Sequence, residues 1–481
     1  MNQWNQWNQW KRIVILLACV IVLTTGCGLD VMTKFERWSL DPVIAARIRE
    51  LDEAFEAGKP VEHYVSNLAD LTHDQMRFEL YYLLRHLELA GTDQISNARL
   101  NDASPMKDLD QWMIELDQIQ SMDQYYRFLK KVSEAYQPLY TRVLHPGKVL
   151  EGLPALESLE QAKSVLPQEV IWETYNGYRN KPQVLLNNQQ LLQRFENKSG
   201  LEYHSDLFER EEVVSTGVAE DGKTAYLKIA SFQIRGTAPD GTVLGVKDFL
   251  SSLYKFDTLI IDVRGNHSLD ISPWRDEIVA RLVKVPARIQ TYIAFRRTAP
   301  GEAMRQELLT QFSFEAGRLL YDASRGSRTS AANLALDGTP QSPVSMNQVI
   351  YDDRQQLGDY VRIRDVVTPR DPVNFKGKIY LLTDSQVYGS ADLFSFYLKQ
   401  LDLAELVGKQ NRGDGIAQTF GFYRMPLPYS GIVFQIQMAY GFNKDGSPNH
   451  DRGTTIDVAR ENGEELEYAL KQSIRKIQPE P

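Results

Sequence analysis

Along residues 41–200 the apolar positions recur every three to four residues. Val43, Ile44, Ile48, Leu51 and Phe55 form one such stripe, the pattern of a helix that packs one face on a core. Asp41-Pro42 is its start signal, an acidic N-cap followed by Pro in the first turn, and Gly58 is its stop. Thr72 and Gln75 have the spacing of a capping box ahead of Phe78, Leu80, Leu83, Leu84 and Leu87, closed by Gly91. A third stretch, residues 106–139, carries Leu109, Trp112, Met113, Leu116 and Ile119. Segments 156–166 and 183–196 repeat the pattern. Together they predict an all-α helical domain over residues 41–204, with its charges on solvated faces.

After residue 205 the period changes. TAYLKIASF (224–232) alternates as a strand does, and TLIIDV (258–263) and KIYLLT (378–383) are short continuous apolar runs of the buried-strand kind. Helical patterns fall at 245–256, 274–285, 390–401 and 464–476, and extended ones at 288–295, 406–408 and 431–438. Residues 300–375 have no readable pattern, with Ser, Gly, Thr and Pro clusters at 324–343. Strands alternating with helices predict an α/β domain with a largely parallel sheet over residues 205–481.

The first 26 residues follow neither pattern. Three copies of Asn-Gln-Trp precede Lys11 and Arg12, an uncharged apolar run at 13–23, and then Thr24, Thr25, Gly26 and Cys27. A basic start, an apolar core and small residues describe a secretory signal. Cys after Gly points to the lipoprotein form, in which the Cys27 sulfur takes a diacylglycerol and becomes the new N-terminus. The apolar run is short for the ~20 residues of a spanning helix. The expectation is a bacterial lipoprotein, exported and anchored through Cys27 to the outer face of the cytoplasmic membrane, with residues 27–40 as linker. Acyl chains on Cys27 would supply the multiple hydrophobic signals that stable anchoring needs.

Composition narrows the chemistry. The 481 residues carry a net charge of −9, which speaks against nucleic acid as a partner, since phosphate binding needs a clustered basic face. The two cysteines cannot build a disulfide framework or a thiolate zinc site. The seven histidines are scattered without metal-ligand spacing. There is no phosphate loop, no GxGxxG after a strand, no HExxH and no GxSxG elbow. No cofactor and no metal is implied.

Five segments then carry a resemblance. TAYLKIASF, TLIIDVRGN, KIYLLTDSQVYGSADLFSFYLK, LVGKQNRGDGIAQTFG and YSGIVFQIQMAYGFNKDGSPNHDRGTTIDV stand in this order across residues 220–475. They resemble the core of the tail-specific (carboxyl-terminal processing) serine peptidases, whose forms are a strand ending in Phe, LIIDLRxN, TASAxE, VVGxxTxGKG and xYxxPDGxxxExxGIxPD. The resemblance implies an α/β peptidase core of the ClpP/crotonase-like type, here preceded by the helical domain. No PDZ domain is recognisable between the two.

The resemblance also implies a mechanism: a Ser nucleophile, a neutral Lys as general base and backbone N–H groups for the oxyanion. The family's Ser lies three residues before an acidic residue, here Asp392, so its position is Gly389. The family's Lys is the middle residue of GKG; here Gly413-Asp414-Gly415 puts Asp414 there, 25 residues after Gly389 as the family spacing requires. The oxyanion turn after LRxN lacks its glycines and reads Asn266-His267-Ser268-Leu269, and the GIxPD tail reads Gly453-Thr454-Thr455-Ile456-Asp457. Gly has no side chain to attack with, and an aspartate cannot replace a neutral Lys directly. The expectation is a degenerate peptidase domain that binds a peptide, an unstructured segment or a partner protein through the old cleft. The alternatives are an active serine endopeptidase rearranged around Ser390, with Asp414 or His267 as base, and a binding protein whose helical half does the work. Without catalysis, Ser390 reads as a helix N-cap.

Overall fold

The computed structural model describes residues 40–57, 71–92, 104–136, 141–164 except 152, 181–203 except 197 and 199, 207–303, 356–418 except 359, 422–443 and 446–475. It also describes 68, 95, 305–306, 320–322, 327–329 and 334–337. The expected secretory signal, Cys27 and the expected linker up to residue 39 lie outside the described residues.

The helical half contains α1 (Pro42–Glu56), α2 (His73–Ala90), α3 (Leu109–Leu116), α4 (Met122–Tyr136) and α5 (Pro182–Phe195). Their start signals work as predicted. Asp41 accepts from the Val43 N–H, and Thr72 and Gln75 complete a reciprocal capping box. The stretch 106–139 is two helices rather than one. Ser121 and Gln124 have the same capping spacing: the Gln124 N–H donates to Ser121 Oγ at 3.3 Å, and the Gln120 N–H donates to Gln124 Oε1 at 2.8 Å. Those bonds start α4 afresh and end the stripe of α3.

The α/β half is built on a six-stranded sheet. Its strands are β1 (Val214–Val218), β2 (Thr224–Ile229), β3 (Thr258–Asp262), β4 (Lys378–Thr383), β5 (Glu405–Gly408) and β6 (Val458–Ala459), side by side in that order. All neighbours are parallel except the β1–β2 pair. Side chains alternate across a strand. Leu259, Ile261 and Leu381 therefore enter the main core, while Ile260, Tyr380 and Leu382 pack on the other face under Ala469 of α7 (Glu464–Arg475). The helix α6 (Ser390–Gln400) follows β4 and buries Phe394 and Leu398 in the main core. The predicted helix at 274–285 runs from Ser272 to Leu282 and contains a wide π-type turn, Arg275–Val279. An antiparallel sheet of Leu334–Asp337, Val361–Val367, Ala287–Ala294 and Tyr440–Phe442 lies beside it in the chain's order of pairing.

A hairpin, Phe422–Pro426 with Val433–Gln437, joins the halves. Arg142–Val143 adds an antiparallel strand to its second arm. From α2, the buried Glu79 carboxylate accepts from the Tyr429 N–H at 2.8 Å, the Ser430 N–H at 2.6 Å and the Tyr125 hydroxyl at 2.8 Å. One apolar core runs through both halves. Burial raises the Glu79 carboxyl above its ordinary value, against the hydrogen bonds from Ser430, Tyr125 and Tyr429. A carboxyl raised on folding contributes stability that is present below its unfolded value and is lost as pH rises through its folded value. Glu79→Gln does not titrate. Its stability deficit against the parent is therefore expected to shrink as pH rises above the ordinary carboxyl range in urea unfolding; a deficit that grows with pH would contradict this.

Candidate functional site

Gly389, which the resemblance puts at the nucleophile position, lies where β4 gives way to α6. Gly389 has φ 65° and ψ −132° and is the N-cap of α6, a conformation Gly takes freely and a side-chain-bearing residue does not. Ser390 is thus the first residue of the helix and not its cap, which corrects the N-cap reading. Its hydroxyl is buried and donates to the Asp270 carbonyl at 2.6 Å. The two amides here are also used. The Gly389 N–H donates to the Gly413 carbonyl at 3.0 Å, and the Ser390 N–H to the Ser268 carbonyl at 2.8 Å.

The Ser268 carbonyl is held in place by the turn after β3. The buried Asn266 side chain donates to the Ile229 carbonyl at 3.0 Å and accepts from the Ser268 N–H at 3.1 Å and the Ser268 hydroxyl at 2.6 Å. Ser268 Oγ in turn accepts from the Phe232 N–H at 2.7 Å. Ser268 therefore locks the turn to the end of β2 and presents a carbonyl where the family presents glycines. His267 is exposed, its Nδ1 lies 3.0 Å from the Gly265 carbonyl, and its ring stacks on Tyr388. The structure brings Ser268 and Ser390 together through the backbone and leaves His267 outside that contact.

Asp414, which the resemblance puts at the base position, is buried and has φ 70°. Its Oδ1 lies 2.9 Å from Nδ1 of the buried His450 and accepts a long bond, 3.4 Å, from Gln437 Nε2. Tyr440 stacks on the His450 ring with centroids 5.3 Å apart. Asp414 Oδ2 and Gln437 Oε1 are buried without a hydrogen-bond partner. His450 was not among the predicted site residues, yet a signal for it existed. In the form DGxxxExxGIxPD it stands where the family has Glu. Against the two family forms the sequence reads Asp414 where GKG has Lys and His450 where DGxxxExxGIxPD has Glu, and these two side chains are in contact.

Asp392 binds the site's loops together. Its carboxylate accepts from Asn449 Nδ2 at 2.8 Å, Asn411 Nδ2 at 3.2 Å and the Thr454 N–H at 2.7 Å. Burial raises this carboxyl above its ordinary value, and the bonds from Asn449, Thr454 and Asn411 work the other way. Among the described residues no group of three or more His, Cys, Asp and Glu could hold a metal ion.

Acyl transfer at such a site needs a hydroxyl with a base in reach and amides free to meet an oxyanion. The hydroxyl of Ser390 and the amides of Gly389 and Ser390 all donate to carbonyls of the chain itself.

The model of peptidase family S41 matches residues 223–460. No curated protein matches the chain. Among solved structures, mature CPAF complexed with lactacystin is 12% identical, with 84% of this chain and 98% of that one covered and a TM-score of 0.48. The photosystem II D1 C-terminal processing protease is 12% identical, covering 82% and 96%, with a TM-score of 0.36. A lipoprotein from Streptococcus agalactiae is 9% identical, covering 83% and 96%, with a TM-score of 0.39. The family match begins at the residue before β2, passes through Gly389 and Asp414 and ends just after β6, and residues 223–460 form a peptidase family S41 domain.

Proposed function

We propose that the protein is a lipoprotein, exported and anchored by Cys27 to the outer face of the cytoplasmic membrane, whose S41 domain binds a peptide or an unstructured segment of a partner protein without cleaving it. One observation carries this reading: at positions 389 and 390 both amides and the one hydroxyl are spent on carbonyls of the chain. A donor already bonded to a fixed carbonyl cannot stabilise an oxyanion until that carbonyl moves. The replacement of Lys by Asp414 supports it from the other side of the cleft. The Asp414–His450 pair favours a second reading, an active endopeptidase around Ser390, because an aspartate beside imidazole Nδ1 is also how a general base is oriented.

The test uses residues 28–481 incubated with unstructured polypeptides, beside the Ser390→Ala variant. The expected result is measurable polypeptide binding by both, with no new N-termini in mass spectra. Cleavage that disappears in the variant would overturn the proposal in favour of the second reading.

A further inference from the structure

We infer that the helical half is a positioning clamp on the Asp414–His450 pair, acting through the second arm of the hairpin. The turn at Tyr429-Ser430-Gly431 is gripped from three helices. Arg47 of α1 donates to the Tyr429 hydroxyl, and Glu79 of α2 accepts from the Tyr429 and Ser430 amides. Asn187 and Asn188 of α5 donate to the carbonyls of Ser430 and Gly431, both at 2.9 Å. The far end of the same arm is held from the same half. The Gln437 N–H donates to Thr141 Oγ1 at 3.2 Å, and the Gln437 carbonyl accepts from the Thr92 N–H at 3.0 Å. Between these ends Arg142 and Val143 pair with Gln435 and Phe434 and fix the register.

The arm held in this way ends on the side chain that touches Asp414. Nearly all of these grips are buried, so each polar group must keep its partner or bear the cost of losing it. A rigid strand held at both ends carries a displacement of α2 or α5 to Gln437 instead of absorbing it locally. Whatever binds the helical half and shifts those helices is therefore read at the old cleft, and occupancy of the cleft is read at the helices, since coupling between two sites is reciprocal. The inference does not depend on whether the cleft cleaves or only binds.

Hydrogen exchange of residues 28–481, read by mass spectrometry, tests it. The Asn187→Ala/Asn188→Ala variant is compared with Ala469→Gly, which loosens α7 on the far face of the sheet and touches no part of the hairpin. The clamp predicts that the double variant speeds exchange about tenfold or more at 429–437 and also at 411–416 and 449–453, relative to an Ala469→Gly protein of matched stability. Faster exchange confined to 429–432, with 411–416 and 449–453 as in Ala469→Gly, would overturn it. If the double variant does not fold, Thr92→Val, which keeps the side-chain volume and removes the hydroxyl's bonds to the Gln437 carbonyl at 3.3 Å and the Ala439 carbonyl at 2.9 Å at the other end of the arm, is read against the same two outcomes.

Discussion

Asp392→Ala is expected to destabilise the protein by on the order of 4 kcal/mol, measured by urea unfolding. The carboxylate is fully buried and is the acceptor for Asn411, Asn449 and the Thr454 amide. Each buried donor left without an acceptor costs about 1–3 kcal/mol, and alanine leaves all of these at once. Asp392→Asn separates hydrogen bonding from shape. It fills the same volume but turns one acceptor oxygen into a donor facing other donors, and it removes a charge that burial already disfavours. Its loss is therefore expected to be about half as large. A loss under about 1 kcal/mol for alanine would show that the loops at 411–415 and 449–454 hold their places without this carboxylate. The position matters because those loops carry Asp414 and His450.

Much of this architecture was legible because local patterns carried it. β3 and β4 read as buried runs and are the two central strands, each covered on both faces. The capping signals of Asp41 and of Thr72 with Gln75 marked two helix starts to the residue. The same signal at Ser121 and Gln124 stood inside a long apolar stripe and was absorbed into one helix. What local patterns could not show is how the halves meet. Glu79 has the look of a charge on a solvated face, yet it is buried, because its partners Tyr429 and Ser430 lie about 350 residues away. At the site, motif spacing picked out Gly389 and Asp414, which lie at the N-terminus of α6 and in the loop beside it. His450 was legible only by reading two substitutions as a pair. The role of Ser390 was not legible at all, since it depends on a carbonyl, Asp270, supplied by a loop 120 residues earlier.

The far end of α6 carries the other large effect. Asp365→Ala is expected to cost about 3–5 kcal/mol, the range for breaking a buried ion pair from one side. Asp365 Oδ1 accepts from Arg275 Nη2 at 2.6 Å, and Oδ2 accepts from Arg275 Nε at 2.8 Å and from the Tyr397 hydroxyl at 2.7 Å. This two-pronged contact ties the wide turn Arg275–Val279, the strand Val361–Val367 and α6 into one unit. Burial works against the charged Arg275 guanidinium, but the bonds and charge of Asp365 outweigh it and hold the group charged. Alanine at 365 takes from that cation its two-pronged partner and leaves it the part-buried Asp276 carboxylate, 2.9 Å from Nη1, whereas replacing both partners, Arg275→Met with Asp365→Leu, removes the buried pair together. The double variant is expected to be more stable than Asp365→Ala alone by about 1–2 kcal/mol, because a buried pair is weak net stabilisation but breaking it from one side is costly, a cost that Asp276 offsets only in part. Urea unfolding of the two single variants and the double variant gives the coupling energy. Strict additivity would mean that Arg275 finds other partners or water once Asp365 is gone. Since Asp392 and Tyr397 sit on the same helix, the two experiments together measure how firmly α6 holds Gly389 and Ser390 against the turn that occupies their amides.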